Sequence, residues 1–301
     1  MDTDAFIDRK QLKKRLVIWQ ISAISAMVGI VIFLIGNFSS IRNSDHIAVL
    51  KISNIIVDDA TRSKALINVA KDKSIKALIV HIDSPGGTVV GGEALYLHLR
   101  EVAENKPVVA VISNLATSAG YMAAIATDRI FARQSSITGS IGVIIQTTDI
   151  TVLLKKLGIK AESIKSAPLK AQPNPLEPMN ENTRLATRLV VKDIFNMFIN
   201  MVVVRRKMDK KKVKELADGR IYTGRQAVKN GLIDAIGGEK EALNWLSTAK
   251  SINSQLPLKL MRFNQKTGFF EKILKRFIGN ILISDRLRLD GLVSLWQPNL
   301  W

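Results

Sequence analysis

Residues 16–38 constrain this chain most: they include no ionisable side chain, only scattered Gln, Ser and Asn. At 1.5 Å per residue, a helix over them is about 34 Å long, enough to cross a hydrocarbon core with slight tilt. Buried helices of soluble domains rarely run that far without a charge. A cleaved signal peptide has a shorter apolar region followed by a small-x-small site, whereas Gly36-Asn37-Phe38-Ser39-Ser40 puts Asn and Phe there. A retained transmembrane anchor is therefore expected over residues 16–38. Arg9, Lys10, Lys13, Lys14 and Arg15 precede it, and Arg42 is the only cation soon after. The positive-inside bias then places residues 1–15 in the cytoplasm. Everything beyond the linker at 39–45 falls on the periplasmic or extracellular side of the cell (inner) membrane.

Composition narrows the partners. Forty-four Lys and Arg against 26 Asp and Glu leave a net charge of +18, which calls for an anionic neighbour. With the body of the chain across the membrane, that neighbour is the phospholipid bilayer and not nucleic acid. The absence of cysteine excludes disulfides, thiolate nucleophiles and Cys-based zinc sites. Three histidines (His46, His81, His98) leave little for a metal site, so no metal and no cofactor are expected.

After the linker, apolar runs alternate with helical patterns. Strands are predicted over 47–52, 77–82, 107–113, 129–132, 141–146 and 161–165. Helices are predicted over 59–71, 91–104, from 118 onward, and over 149–156. The run 77–82 (ALIVHI) is nearly continuous, as in a strand covered on both faces. This alternation implies an α/β domain, over residues 46–250, with a largely parallel core. Its site belongs at the carboxyl ends of the strands. Beyond Asn180 a long helix over 181–208 and a Lys-rich one from Asp209 are predicted, then a helix capped by Thr223 and ended by Asn230-Gly231. The tail, 251–301, is basic and amphipathic, with a last strand over 257–263.

Two strand ends carry candidate chemistry. In Asp83-Ser84-Pro85-Gly86-Gly87 the adjacent glycines leave backbone N–H groups free to hold an anion or oxyanion. A plain strand-to-helix turn explains the same residues. The turn lacks the Lys-Ser/Thr ending of a phosphate loop and the dinucleotide spacing. In Thr117-Ser118-Ala119-Gly120-Tyr121, small residues leave space around Ser118 at a helix start, where a serine is equally at home as an N-cap. As a nucleophile Ser118 needs a base. His81 falls inside a strand, His98 on a helix and His46 near the linker. A buried lysine with its pKa brought down to about 7–8 can serve instead. Lys170, in the uncharged, proline-stiffened run Ala167-Pro168-Leu169-Lys170-Ala171-Gln172-Pro173, stands out for that role.

Together with Ile137-Thr138-Gly139-Ser140-Ile141-Gly142-Val143, Lys165-Ser166-Ala167-Pro168-Leu169-Lys170 and Gly219-Arg220-Ile221-Tyr222-Thr223-Gly224-Arg225-Gln226-Ala227, these motifs resemble the signal peptide peptidase A family of membrane-bound serine proteases. The resemblance covers about residues 47–242. It implies the α/β fold shared by Clp proteases and crotonases, with Ser118 as nucleophile, Lys170 as general base and backbone N–H groups at Gly86 and Gly87 as the oxyanion hole. It also implies peptide substrates (remnant signal peptides and other membrane-associated polypeptides) and, at this length, a one-domain form that works as a homo-oligomer. Ala119 stands where the family often has glycine. Two alternatives use the same residues differently. One is a crotonase-like acyl-CoA enzyme needing neither Ser118 nor Lys170. The other is a non-catalytic membrane scaffold with a basic face at 205–214.

Overall fold

The structure, a computed structural model, describes residues 15–33, 44–261 and 293–295 of the chain. The chain divides into Met1–Asp45 and His46–Trp301. The first unit holds helix α1 (Arg15–Phe33), long and apolar enough to cross a membrane by length and composition. The rest of the expected span (34–38), residues 1–14 and most of the linker lie outside the described residues.

The second unit starts with β1 (His46–Ile56), α2 (Ala60–Lys71), β2 (Ile75–Thr88), α3 (Val89–Asn105), β3 (Val108–Thr117), α4 (Ala119–Ile125) and β4 (Arg129–Ala132). Local chemistry sets these boundaries. Asp59 accepts from the N–H groups of Thr61 (2.9 Å) and Arg62 (3.1 Å), so α2 begins where that cap satisfies its orphan donors. Ala77, Leu78, Ile79, Val80 and Ile82 are fully buried, because α-helices cover both faces of a parallel strand. β2 pairs in parallel with β1 on one side and β3 on the other.

The remaining elements are β5 (Ile137–Gly139), α5 (Thr151–Lys156), α6 (Glu181–Arg206), α7 (Lys210–Leu216), β6 (Ile221–Thr223), α8 (Gly224–Asn230), β7 (Ala235–Ile236), α9 (Glu239–Lys250), β8 (Leu258–Leu260) and β9 (Val293–Leu295). The main path of the sheet runs β6-β5-β3-β2-β1-β8. β3 divides one edge between two partners: its first half pairs with β4 and its last residues, Leu115–Thr117, with β5. β8 pairs with β1, so the sheet continues past residue 250. β9 lies antiparallel against Gly86–Thr88 at the end of β2. Most of the tail, 262–292 and 296–301, lies outside the described residues.

Several expectations hold closely: Thr223 caps α8 and Gly231, at φ 81°, ends it, while the helices expected to start at Asp59 and Asp209 start one residue later, with those two acids as their caps. Others need correction. No strand spans 141–146. Ile141 and Val143 are buried as a strand's residues would be, but Ser140, at φ 48°, turns the chain out of the ladder, and the strand is β5, just upstream. No strand spans 161–165 either; four of the five residues are exposed, so neither face of a strand there would be covered among the described residues. The expected basic face at 205–214 is partly turned inward. Arg205 donates to the carbonyl oxygens of Ile125 (2.9 Å) and Thr127 (3.0 Å), and Arg206 forms a two-pronged pair with Asp234 (2.9 and 3.1 Å).

Candidate active site

Ser118 sits between the end of β3 and the start of α4, where a parallel strand hands over to a helix. Its backbone is held at φ 57° and ψ −118°, a conformation unfavourable for a residue with a Cβ. Such strain costs on the order of 1–3 kcal/mol and persists only where the surroundings over-determine it. Here they do. The Ser118 N–H donates to the Gly139 carbonyl (2.9 Å), and its own carbonyl accepts from Tyr121 (2.9 Å) and Met122 (3.0 Å). All of α4, Ala119–Ile125, is buried, which fixes the turn from below. Tyr121 anchors it further, donating its hydroxyl to the Leu232 carbonyl (2.8 Å); burial pushes that phenol's pKa well up, so it stays a donor.

Ser118 makes no side-chain capping bond to α4, so helix capping does not account for a serine here. Its residue is 1% exposed, yet it borders a cavity of about 650 Å³. The other walls are the loop 140–144, the turn 217–219, and a stripe of α6 comprising Arg188, Val191, Lys192 and Phe195. A buried hydroxyl beside an open, mostly apolar cavity is the arrangement a nucleophile needs. None of His46, His81 and His98 borders this cavity. His81 instead places Nε2 2.8 Å from Glu239 Oε2.

The Gly86-Gly87 turn is held for two distinct reasons. Gly86 has φ 112°, which glycine alone adopts freely. A Cβ on Gly87 would lie 1.8 Å from the Ile56 carbonyl oxygen, so β1 and β2 meet only because none is there. The Gly86 N–H donates to Ser84 Oγ at 3.2 Å. Gly92 plays a related part next to Ser118: its missing Cβ would stand 2.8 Å from the Ala119 methyl, so Ala119 fits against α3.

Lys170 lies apart from this geometry. It is exposed and is not among the residues bordering the Ser118 cavity. Its loop is nonetheless organised. Glu177 accepts from Lys165 Nζ (2.6 Å), from Ser163 Oγ (2.5 Å) and from Gln172 Nε2, and the first of these does most to hold its carboxyl below the ordinary value of 4.5. Of the two lysines in the 165–170 motif, Lys165 is thus engaged by an acid, whereas Lys170 has no ion pair among the described residues. A carboxyl with a lowered folded pKa contributes stability above its ordinary value and loses it as pH falls through the folded one. Glu177→Gln is therefore expected to flatten the loss of loop protection below about pH 4.5, as read by hydrogen exchange over residues 163–177. A wild-type-like acid response in that variant contradicts this account of the loop.

Ser140, the α6 stripe and the 217–219 turn escaped the sequence reading. The stripe was legible in principle, since 188, 191, 192 and 195 recur at helical spacing. Ser140 belongs to a motif already singled out, but only its left-handed backbone marks it as part of the site.

The sequence pattern of peptidase family S49 matches residues 100–253, which include Ser118 and Lys170 but not the Gly86-Gly87 turn. A Synechocystis sp. protein named as a protease is 36% identical over 67% of this chain and 76% of its own length. An Enterococcus faecium protein bearing the name signal peptide peptidase SppA is 35% identical over 67% of this chain; the match spans only 58% of that protein. Among solved structures, a mutant of the 1510-N membrane-bound stomatin-specific protease overlaps at a TM-score of 0.49 with 15% identity, over 73% of this chain and 98% of that one.

Proposed function

The chain belongs to peptidase family S49, and on that footing we propose a membrane-anchored serine endopeptidase that cleaves remnant signal peptides and other membrane-associated polypeptides. The observation that carries the reading is Ser118: a non-capping hydroxyl on a strained strand-to-helix turn, facing a cavity large enough for a peptide side chain. Membership of a peptidase family favours hydrolysis over the acyl-CoA and scaffold alternatives.

In this reading Lys170 takes the proton from Ser118 Oγ as the oxygen attacks a peptide carbonyl. The oxyanion is stabilised by backbone N–H groups of the Gly86-Gly87 turn, whose Gly86 N–H leaves Ser84 Oγ for it. Lys170 then protonates the departing amine, and water, deprotonated by the same amine, releases the acyl group. The antiparallel pairing of β9 with Gly86–Thr88 shows that this edge accepts an extended segment, and an extended substrate would pair there in place of β9. Helix α1 anchors the enzyme in the bilayer with residues 1–15 in the cytoplasm. This raises the effective concentration of substrates held at the same surface.

Lys170 is brought to Ser118 by assembly of several copies. Val152, Leu153, Leu157, Ile159, Ile164 and Leu169, in the stretch of chain that leads to Lys170, are exposed apolar side chains, as are Leu185, Leu189 and Val190 on α6. Surfaces of this kind are covered in functional complexes, and covering them takes the loop that carries Lys170 out of water. Co-expression of Ser118→Ala with Lys170→Ala, each inactive alone, is expected to restore peptide cleavage to about a quarter of the wild-type level, by random pairing of the two chains. No recovery in mixed oligomers of confirmed composition contradicts a site shared between copies.

A further inference from the structure

The Ser118 cavity carries charge that the hydrolytic chemistry does not use. α6 turns Arg188, Val191, Lys192 and Phe195 toward it, and the two cations stand one helical turn apart. Like charges at that spacing disfavour the helix, and neither forms an ion pair among the described residues. The one acid on the cavity wall, Asp218, is already committed. It accepts from Arg220 Nε (2.7 Å), pairs with the Arg220 guanidinium (2.5 Å) and accepts from the Arg220 backbone N–H (3.1 Å). These bonds hold its carboxyl below the usual range. Ile141 and Val143 supply an apolar part of the same wall. The cavity is thus apolar in its body and positive along one side.

We propose that this cavity selects peptides that present an apolar side chain together with a carboxylate, the apolar group lying against Ile141, Val143 and Phe195 and the carboxylate meeting Arg188 and Lys192. The carboxylate comes either from an acidic side chain or from a free C-terminus. This specificity rests on the Ser118 assignment above. It adds a recognition element that general peptide hydrolysis does not require. Because both cations are exposed, the attraction is screened by salt.

The test uses the full-length protein in detergent micelles and two sets of fluorogenic peptides. In one set, Glu replaces Gln next to the apolar residue on either side of the scissile bond; in the other, a free C-terminus replaces the amide. Wild type is expected to prefer the carboxylate form by about ten-fold in kcat/KM in at least one set, and the responding set identifies the source. The preference is expected to shrink severalfold as salt rises from about 0.05 M to about 0.5 M. The Arg188→Gln/Lys192→Gln variant should bring the ratio to about one, and Arg188→Glu/Lys192→Glu should favour Lys-bearing peptides. Equal rates for both forms in wild type, or a salt-independent preference, overturn the proposal even if the variants fail to fold. So does a ratio that survives the double Gln change. Residual cleavage by Ser118→Ala, scored in the same assay, strikes the underlying site assignment and not the charge preference, so the two failures are told apart.

Discussion

Ser118→Gly is expected to lose at least about 10³-fold in peptide cleavage while melting higher than Ser118→Ala. Both changes delete the Oγ proposed to attack the carbonyl. They differ in what they do to a backbone held at φ 57° and ψ −118°. Alanine keeps a Cβ there and with it strain on the order of 1–3 kcal/mol. Glycine removes that strain but gives up about 0.5–1 kcal/mol in unfolded-state entropy. The net is about 1 kcal/mol in favour of glycine, or about 2–4 °C in Tm for a domain of this size. Thermal melts of the two inactive variants, run side by side, check this. A glycine variant less stable than the alanine one means that the turn is not strained, and the structural argument for Ser118 loses its basis.

Gly87→Ala is expected to be the most destabilising single methyl group that can be added near the site. Its Cβ would lie 1.8 Å from the Ile56 oxygen, 2.5 Å from the Ile56 carbon and 2.6 Å from the Ile56 nitrogen. All three are backbone atoms, so no side chain can rotate away. Relief requires β1 and β2 to part where Ile55 and Ile56 pair with Gly86 and Gly87. Overpacking commonly costs about 1–3 kcal/mol, and a contact against fixed backbone belongs at or above the top of that range. Separating the strands also re-aims the Gly86 N–H, so activity falls further than stability alone explains. Chemical denaturation and turnover per labelled serine measure the two effects separately. Near-wild-type values for both contradict the close approach of these strands.

The legible parts of this molecule are those whose cause is local. A continuous apolar run such as ALIVHI reads as a covered strand because burial on both faces leaves no polar alternation. Asp59, Thr223 and Gly231 mark helix ends because caps act within one turn of chain. Residues 161–165 looked like a strand because apolar residues also occur in exposed loops, and only the absence of a packing partner separates the two cases. Gly86 and Gly87 drew attention as one turn, but the second glycine is there for a carbonyl on another strand, which no local pattern records. Ser118 stands out in the sequence through the small residues that follow it, whereas its strained backbone is held by the Gly139 carbonyl on β5, a contact made only in the folded chain. The positive wall of the cavity depends on α6, a helix that begins at Glu181, far beyond Ser118 in the chain, so its charges join the site only in three dimensions.

The most direct test of a Ser118 nucleophile served by Lys170 is the pH dependence of covalent labelling by a fluorophosphonate, with the adduct located by mass spectrometry. The account predicts a single adduct on Ser118 whose rate of formation in assembled wild type rises with pH as an amine gives up its proton. In Lys170→Ala it predicts labelling slowed by about 10²-fold or more with that rise gone. An adduct on another serine, or a Lys170→Ala variant labelled at the wild-type rate with the wild-type pH profile, contradicts it.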